Sequence, residues 1–157
     1  MFDTLYNGFK SAKAKLTGKT TLDIDFATRV LSGKHDIDRT DTSYQTDEDG
    51  NEILGSDGKP ILVYRGTLAI HLAGSTNVAS DGSFDMALSG TGALHVEEPL
   101  EKTSLDVSKP LTGAISGAFF GAQAAEVGGI WTLPVGLDQD GGVAVSVDAF
   151  AGLKQVP

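Results

Sequence analysis

Not one of the 157 residues is cysteine, which excludes disulfide staples, thiolate metal sites and a thiol nucleophile within this sequence. Positive charge is scarce too: 12 Lys and Arg stand against 21 Asp and Glu, a formal balance of −9. The acidic residues are scattered rather than gathered into a tail, and such a surface repels phosphate backbones, so no nucleic acid partner is expected. No apolar run approaches the ~20 residues a bilayer-spanning helix needs, so no transmembrane segment is expected and the composition is that of a soluble globular domain. The opening MFDTLYNGFK lacks a basic region followed by an apolar stretch and a cleavage site, so no signal peptide is visible. A chain of this length suffices for a single core, and residues 1–157 are read as one domain.

What is present in excess is glycine, 20 of 157 residues, against about 7% in ordinary proteins and without the every-third spacing of collagen. Glycine is costly inside helices, so the surplus points to turns, bulges and tightly curved strands. Side-chain character alternates with period two. Phe84, Met86, Leu88, Leu94 and Val96 share one parity, with Asp85, Ser89, Thr91, His95 and Glu97 on the other. Leu62, Tyr64, Leu68, Ile70 and Leu72 repeat the pattern, as do Leu22, Ile24 and Phe26. These are half-buried strands, one face on a core and the other in water. Further strands are expected at Thr4–Phe9, Val30–Asp38, Leu111–Phe120, Gly129–Val135 and Val143–Lys154, making eight.

Asp49-Gly50, Asp57-Gly58, Asp81-Gly82 and Gly141-Gly142 supply the positive φ of tight hairpin turns, and connections this short join antiparallel neighbours. FKSAKAKL, Phe9 to Leu16, reads equally as a short helix or a polar loop; Ala122 to Val127 reads as about one and a half helical turns stopped by Gly128-Gly129. Residues 41 to 60 interrupt the alternation with a near repeat, DGNEIL and DGKPIL, expected to form an exposed loop or hairpin. The expectation is an all-β fold, an eight-stranded antiparallel up-and-down β-barrel with one short helical turn, against a β-sandwich as the rival.

The stretch ISGAFFGAQAAEVGGIW carries a resemblance. Gly117, Phe119, Phe120 and Gly121, then Ala125 and Glu126 in a helical turn, then Gly128, Gly129 and Trp131, closely resemble the signature of β-barrel domains in the bacterial transferrin-binding protein B family. The YNG of Tyr6–Gly8, TLDIDFATRVLSGKHDI and DAFAGLKQ look like its first, second-to-third and closing strands, so the resemblance spans residues 4 to 155. It implies a non-enzymatic binding module at a bacterial cell surface or secreted from it, capturing a host protein or an iron or haem source. Two departures are the acidic segment at 41 to 60 and the lack of the lipid-bearing Cys of surface-anchored members. Physically, Phe119 or Phe120 with Trp131 would cap one barrel end while Gly121, Gly128 and Gly129 let the chain turn, with Glu126 near a helix C-terminus needing a donor.

Several chemical readings are weighed against this. No glycine-rich turn leads into a long helix, which excludes a phosphate loop, and no nucleophile turn accompanies a Ser-His-Asp set. His71 and His95 fall on outward faces as solvated histidines, while His35 shares parity with Leu31, Gly33 and Ile37. Some barrels resembling this family bind haem, which makes His35 and Tyr44 the candidates for an axial ligand. Asp47, Asp49, Asn51 and Glu52 have the look of a calcium loop, but Gly50 falls fourth from Asp47 where such a loop needs glycine sixth, so an acidic turn is favoured. Together with Tyr44 these four residues form the candidate partner-binding loop. The alternatives to nutrient capture are a haem or other small-ligand carrier and a structural or adhesive appendage module.

Overall fold

The computed structural model describes residues 9–153. They form one antiparallel sheet in simple up-and-down order: β1 (Phe9–Asp25), β2 (Val30–Thr46), β3 (Leu62–Asn77), β4 (Ser83–Glu98), β5 (Thr103–Phe120), β6 (Glu126–Leu137) and β7 (Val143–Leu153). The sheet curls into a half-barrel, so that β3 and β6, three strands apart in the order, meet across the interior.

The all-β, up-and-down architecture with one short helical turn matches the sequence reading; the strand count and closure differ. Seven strands are present among the described residues, and β1 and β7 are the two edges of the sheet rather than partners. With an odd number of alternating strands, those edges run in the same direction. The strand expected at Thr4–Phe9 lies outside the described residues except for Phe9, which begins β1.

The segment Phe9–Leu16 is neither helix nor loop but the first half of β1, paired residue for residue with β2 from Phe9 opposite Thr46 to Asp25 opposite Val30. Its helix formers are overridden because β2 runs on to Thr46 and offers ladder partners along its whole length, and an Ala-Lys alternation satisfies a two-residue period equally well. Between β5 and β6 only Ala122–Ala124 make a 3₁₀ turn, with Gln123 and Ala124 in the left-handed region at φ 59° and 53°. The expected longer helix fails there because extended pairing resumes at Glu126, opposite Phe120.

Aspartates build the turns. Asp25 Oδ1 accepts the Ala27 and Thr28 amides (2.8 and 3.3 Å), Asp81 Oδ1 the Ser83 amide (2.9 Å), and Asp138 Oδ1 the Asp140 and Gly142 amides (3.0 and 2.6 Å). A carboxylate that accepts amides two to four residues on replaces the ladder bonds a reversing chain loses, which ties part of the acidic surplus to the hairpins.

The core lies on the concave face. Leu31, Ile70, Leu88 and Ile115 are wholly buried, Phe84, Met86, Leu94 and Val96 nearly so, and Ile24 packs against them partly buried. Glycine on the inner rows makes room for large neighbours: a methyl on Gly33 would overlap the Met86 side chain. Gly117 and Gly129 face each other across β5 and β6, where a methyl on Gly129 would strike the Ser116 carbonyl oxygen. Small residues at this crossing let two backbones approach as the sheet bends.

Candidate functional site

The curl leaves a groove of about 900 Å³ at one end of the half-barrel, between the inner face of β1–β2 and the turn leading into β6–β7. Alternation aims Leu22 and Ile24 into it from β1, and Leu31 and Ile37 from β2. Val127, Trp131 and Phe150 form the opposite wall. Phe150 sits across the ladder from Gly129, and with no side chain opposite, its ring moves over to stack on Trp131 at 5.4 Å between centroids and 5° between planes. Phe119 contributes the third aromatic surface and packs against Phe84 at 5.6 Å and edge-on to Phe26 at 6.0 Å.

The resemblance motif therefore divides. Phe119 and Trp131 line the interior, whereas Phe120 points outward, more than half exposed, over Gly128. Gly121 carries the positive φ of 75° that starts the turn, and Gly117, Gly128 and Gly129 sit in the paired strands. Glu126 directly follows Ala125, the C-cap of the 3₁₀ turn, as expected, but it opens β6 exposed at the groove rim, and a three-residue turn aligns too few peptide dipoles to penalise its charge much.

His35 lies in the groove floor, 5% exposed, with both ring nitrogens engaged by the protein. A carbonyl can only accept, so Nε2–H donates to the Pro134 oxygen at 3.0 Å; Nδ1 then accepts from the Thr20 hydroxyl, also at 3.0 Å. This pair of bonds ties β2 to β1 beside it and to β6 across the interior. Neither nitrogen is left over for an axial bond. Tyr44 is on the opposite face of β2, nine residues away, which is roughly 30 Å along a strand. Its ring lies 5.0 Å beneath the Lys13 ammonium, and Lys13 in turn pairs with Glu52 at 2.7 Å. His35 and Tyr44 are thus not brought to one site.

The segment after β2 forms two successive tight turns at the other end of the half-barrel. Asp47 Oδ1 accepts the Asp49 and Asn51 amides at 3.0 and 2.8 Å, while Oδ2 accepts from the Asn51 side chain at 3.2 Å. These bonds hold the Asp47 carboxyl below its usual range, the Asn51 amide being the main cause. Gly50 turns the chain at φ 85° and Gly58 repeats the reversal at φ 76°. Short bridges pair Thr46 with Glu52 and Leu54 with Pro60, so the near repeat is two stacked reversals braced on the end of β2. Asp47 and Asn51 serve the turn itself; Asp49 remains exposed.

On the convex face, His71 Nδ1 meets Asp36 at 2.9 Å, and His95 lies between Asp106 at 2.6 Å and Glu97 at 3.3 Å. The hydrogen bond to Asp106, followed by that to Glu97, raises the His95 pKa above its ordinary 6.5. Among the described residues no cluster of three or more His, Asp or Glu groups is arranged to hold a metal ion, and no helix is long and apolar enough to cross a membrane.

Sequence reasoning found Trp131 and Phe119 but missed Phe150, Leu22 and Ile24 as groove walls. Parity marked Leu22 and Ile24 as inward; only the curl shows that, besides packing on the core, they line the groove that Trp131 walls on the other side. No protein-family model, curated protein or solved structure matches the chain.

Proposed function

We propose that this chain is a non-enzymatic binding module, presented on a bacterial cell surface or released from it, that captures a host protein or an iron or haem source. The proposal rests on the resemblance of the Gly117–Trp131 stretch to the transferrin-binding protein B barrel. The geometric observation that supports it is the pair of capped acidic turns at 47–59, held in one shape by Asp47 and Asp57 at the end of a long sheet. Turns ordered in advance lose little freedom on binding, and Glu48, Asp49 and Asp57 at their tips suit a partner with a basic face. Calorimetric titration against transferrin and haemoglobin tests this. Binding should weaken with added salt and with the double change Glu48→Lys, Asp49→Lys; no heat with either protein would end the host-protein version.

The groove favours a second reading, a carrier of a flat apolar ligand such as haem. Its volume falls within the roughly 300–1,000 Å³ of small-molecule sites, and its walls are aromatic. With His35 committed to Thr20 and Pro134, such a ligand would be held by stacking on the Trp131–Phe150 pair. Hemin should then quench Trp131 fluorescence, and Phe150→Ala should relieve the quenching while His35→Gln leaves it. Fluorescence unchanged at saturating hemin eliminates this reading.

A further inference from the structure

Two polar side chains enter the apolar groove from its β1–β2 wall, Thr20 and His35, which sit directly opposite each other in the ladder. Lys19, Thr21 and Asp23 border the groove too, but alternation turns their exposed side chains to the convex side. Glu126 stays exposed at the rim, and the indole N–H of Trp131 only donates. The side-chain acceptor left on the inner wall is therefore the Thr20 oxygen. Its orientation is set from across the interior. The Pro134 carbonyl takes the Nε2–H of His35 at 3.0 Å, which leaves Nδ1 to take the Thr20 hydroxyl hydrogen, also at 3.0 Å. The hydroxyl has no second hydrogen, and its lone pairs are engaged by no other described residue. His35 is 5% exposed whereas Thr20 is half-buried, so of the two it is Thr20 that a ligand in the groove reaches.

We infer that Thr20 selects a flat, uncharged ring system carrying a hydroxyl, an inference that rests on the small-ligand reading of the groove and narrows it. The rings lie on the Trp131–Phe150 stack, and the ligand hydroxyl donates to Thr20 Oγ. Each part follows from a different feature. Two side-chain rings 5.4 Å apart and within 5° of parallel present a flat apolar surface. A net charge of −9, with the Glu126 carboxylate at the rim, disfavours an anion, and no inward carboxylate among the described residues pairs a cation. An acceptor whose own hydrogen is committed to His35 matches a hydroxyl, whereas an ether or ketone oxygen in the same place sets lone pair against lone pair.

Calorimetric titration of the full chain with 2-naphthol and with its methyl ether tests this. The ether is the larger and more apolar of the two, so hydrophobic transfer alone ranks it first. The bond to Thr20 should reverse that order, with 2-naphthol binding about fivefold more tightly. Phe150→Ala should weaken both ligands, which places them on the stack. Thr20→Val, close in shape, should weaken 2-naphthol alone and abolish the preference, and Thr20→Ser should restore it, with far-ultraviolet spectra unchanged. Should Thr20→Val fail to fold, the order of the two ligands on the wild-type chain and its retention in Thr20→Ser decide. Binding of neither ligand overturns the groove reading and this inference together. Equal affinities, an ether bound more tightly, or a preference that survives Thr20→Val overturns selection by Thr20 and leaves the groove reading standing.

Discussion

Replacing His35 with leucine probes a buried polar link across the interior. The ring is nearly fully buried and makes two hydrogen bonds, one to Thr20 on β1 and one to the Pro134 carbonyl, 99 residues away. Each such bond contributes about 0.5–1.5 kcal/mol net, and a buried carbonyl left without a donor costs about 1–3 kcal/mol. The Thr20 hydroxyl is half-buried and can turn to water, so most of the loss falls at Pro134. Leucine fills similar volume and keeps the cavity contribution small, giving an expected destabilisation of about 2–3 kcal/mol. That is a large share of the roughly 5–15 kcal/mol by which a domain is stable. Glutamine can place an amide N–H near the position of Nε2, so His35→Gln should recover about 1 kcal/mol or more relative to leucine. Urea unfolding followed by Trp131 fluorescence provides the assay; with m near 1–3 kcal/mol/M, the leucine variant should lower the midpoint on the order of 1 M at unchanged slope. If leucine proves as stable as histidine, or glutamine no better than leucine, the Pro134 contact is not holding the two walls together.

Three further outcomes are expected. Leu88, wholly buried at the centre of the core, should cost about 2–5 kcal/mol when cut to alanine, read by the same urea titration. Gly129→Ala should destabilise by at least about 1–3 kcal/mol, because its methyl meets a ladder carbonyl and not a flexible side chain; a neutral result in thermal melts would mean the crossing of β5 and β6 can relax. His95 should titrate above 6.5 by NMR. Since its folded pKa is raised, its stabilisation is complete below the unfolded value and lost as pH climbs through the folded one, so wild type should lose stability over that rise while His95→Gln does not.

Most of the strands, their apolar sides and the glycine-marked reversals were legible in the sequence, whereas the second half of β2, the first part of β5 and the turn between β4 and β5 were not. The reason is local: a period of two assigns the faces of β4 whatever lies beyond it, and an aspartate at or just before an Asp-Gly pair turns the chain by accepting amides two to four residues on. Phe9–Leu16 was illegible because its conformation is set by a partner, β2, and not by its own propensity. The groove was invisible for a related reason. Leu22, Ile24, Trp131 and Phe150 are each simply inward residues until the curvature of the sheet decides which of them meet, and curvature comes from close backbone contacts such as Gly117 against Gly129. Likewise, the valines of β7 read as an ordinary alternating strand; only its place at the rim, with no eighth described strand beside it, puts them at an edge of the described sheet. Alternation is a property of neighbouring residues, and so the chain alone determines it; closure depends on the summed bend and stagger of every strand, which only the folded sheet decides.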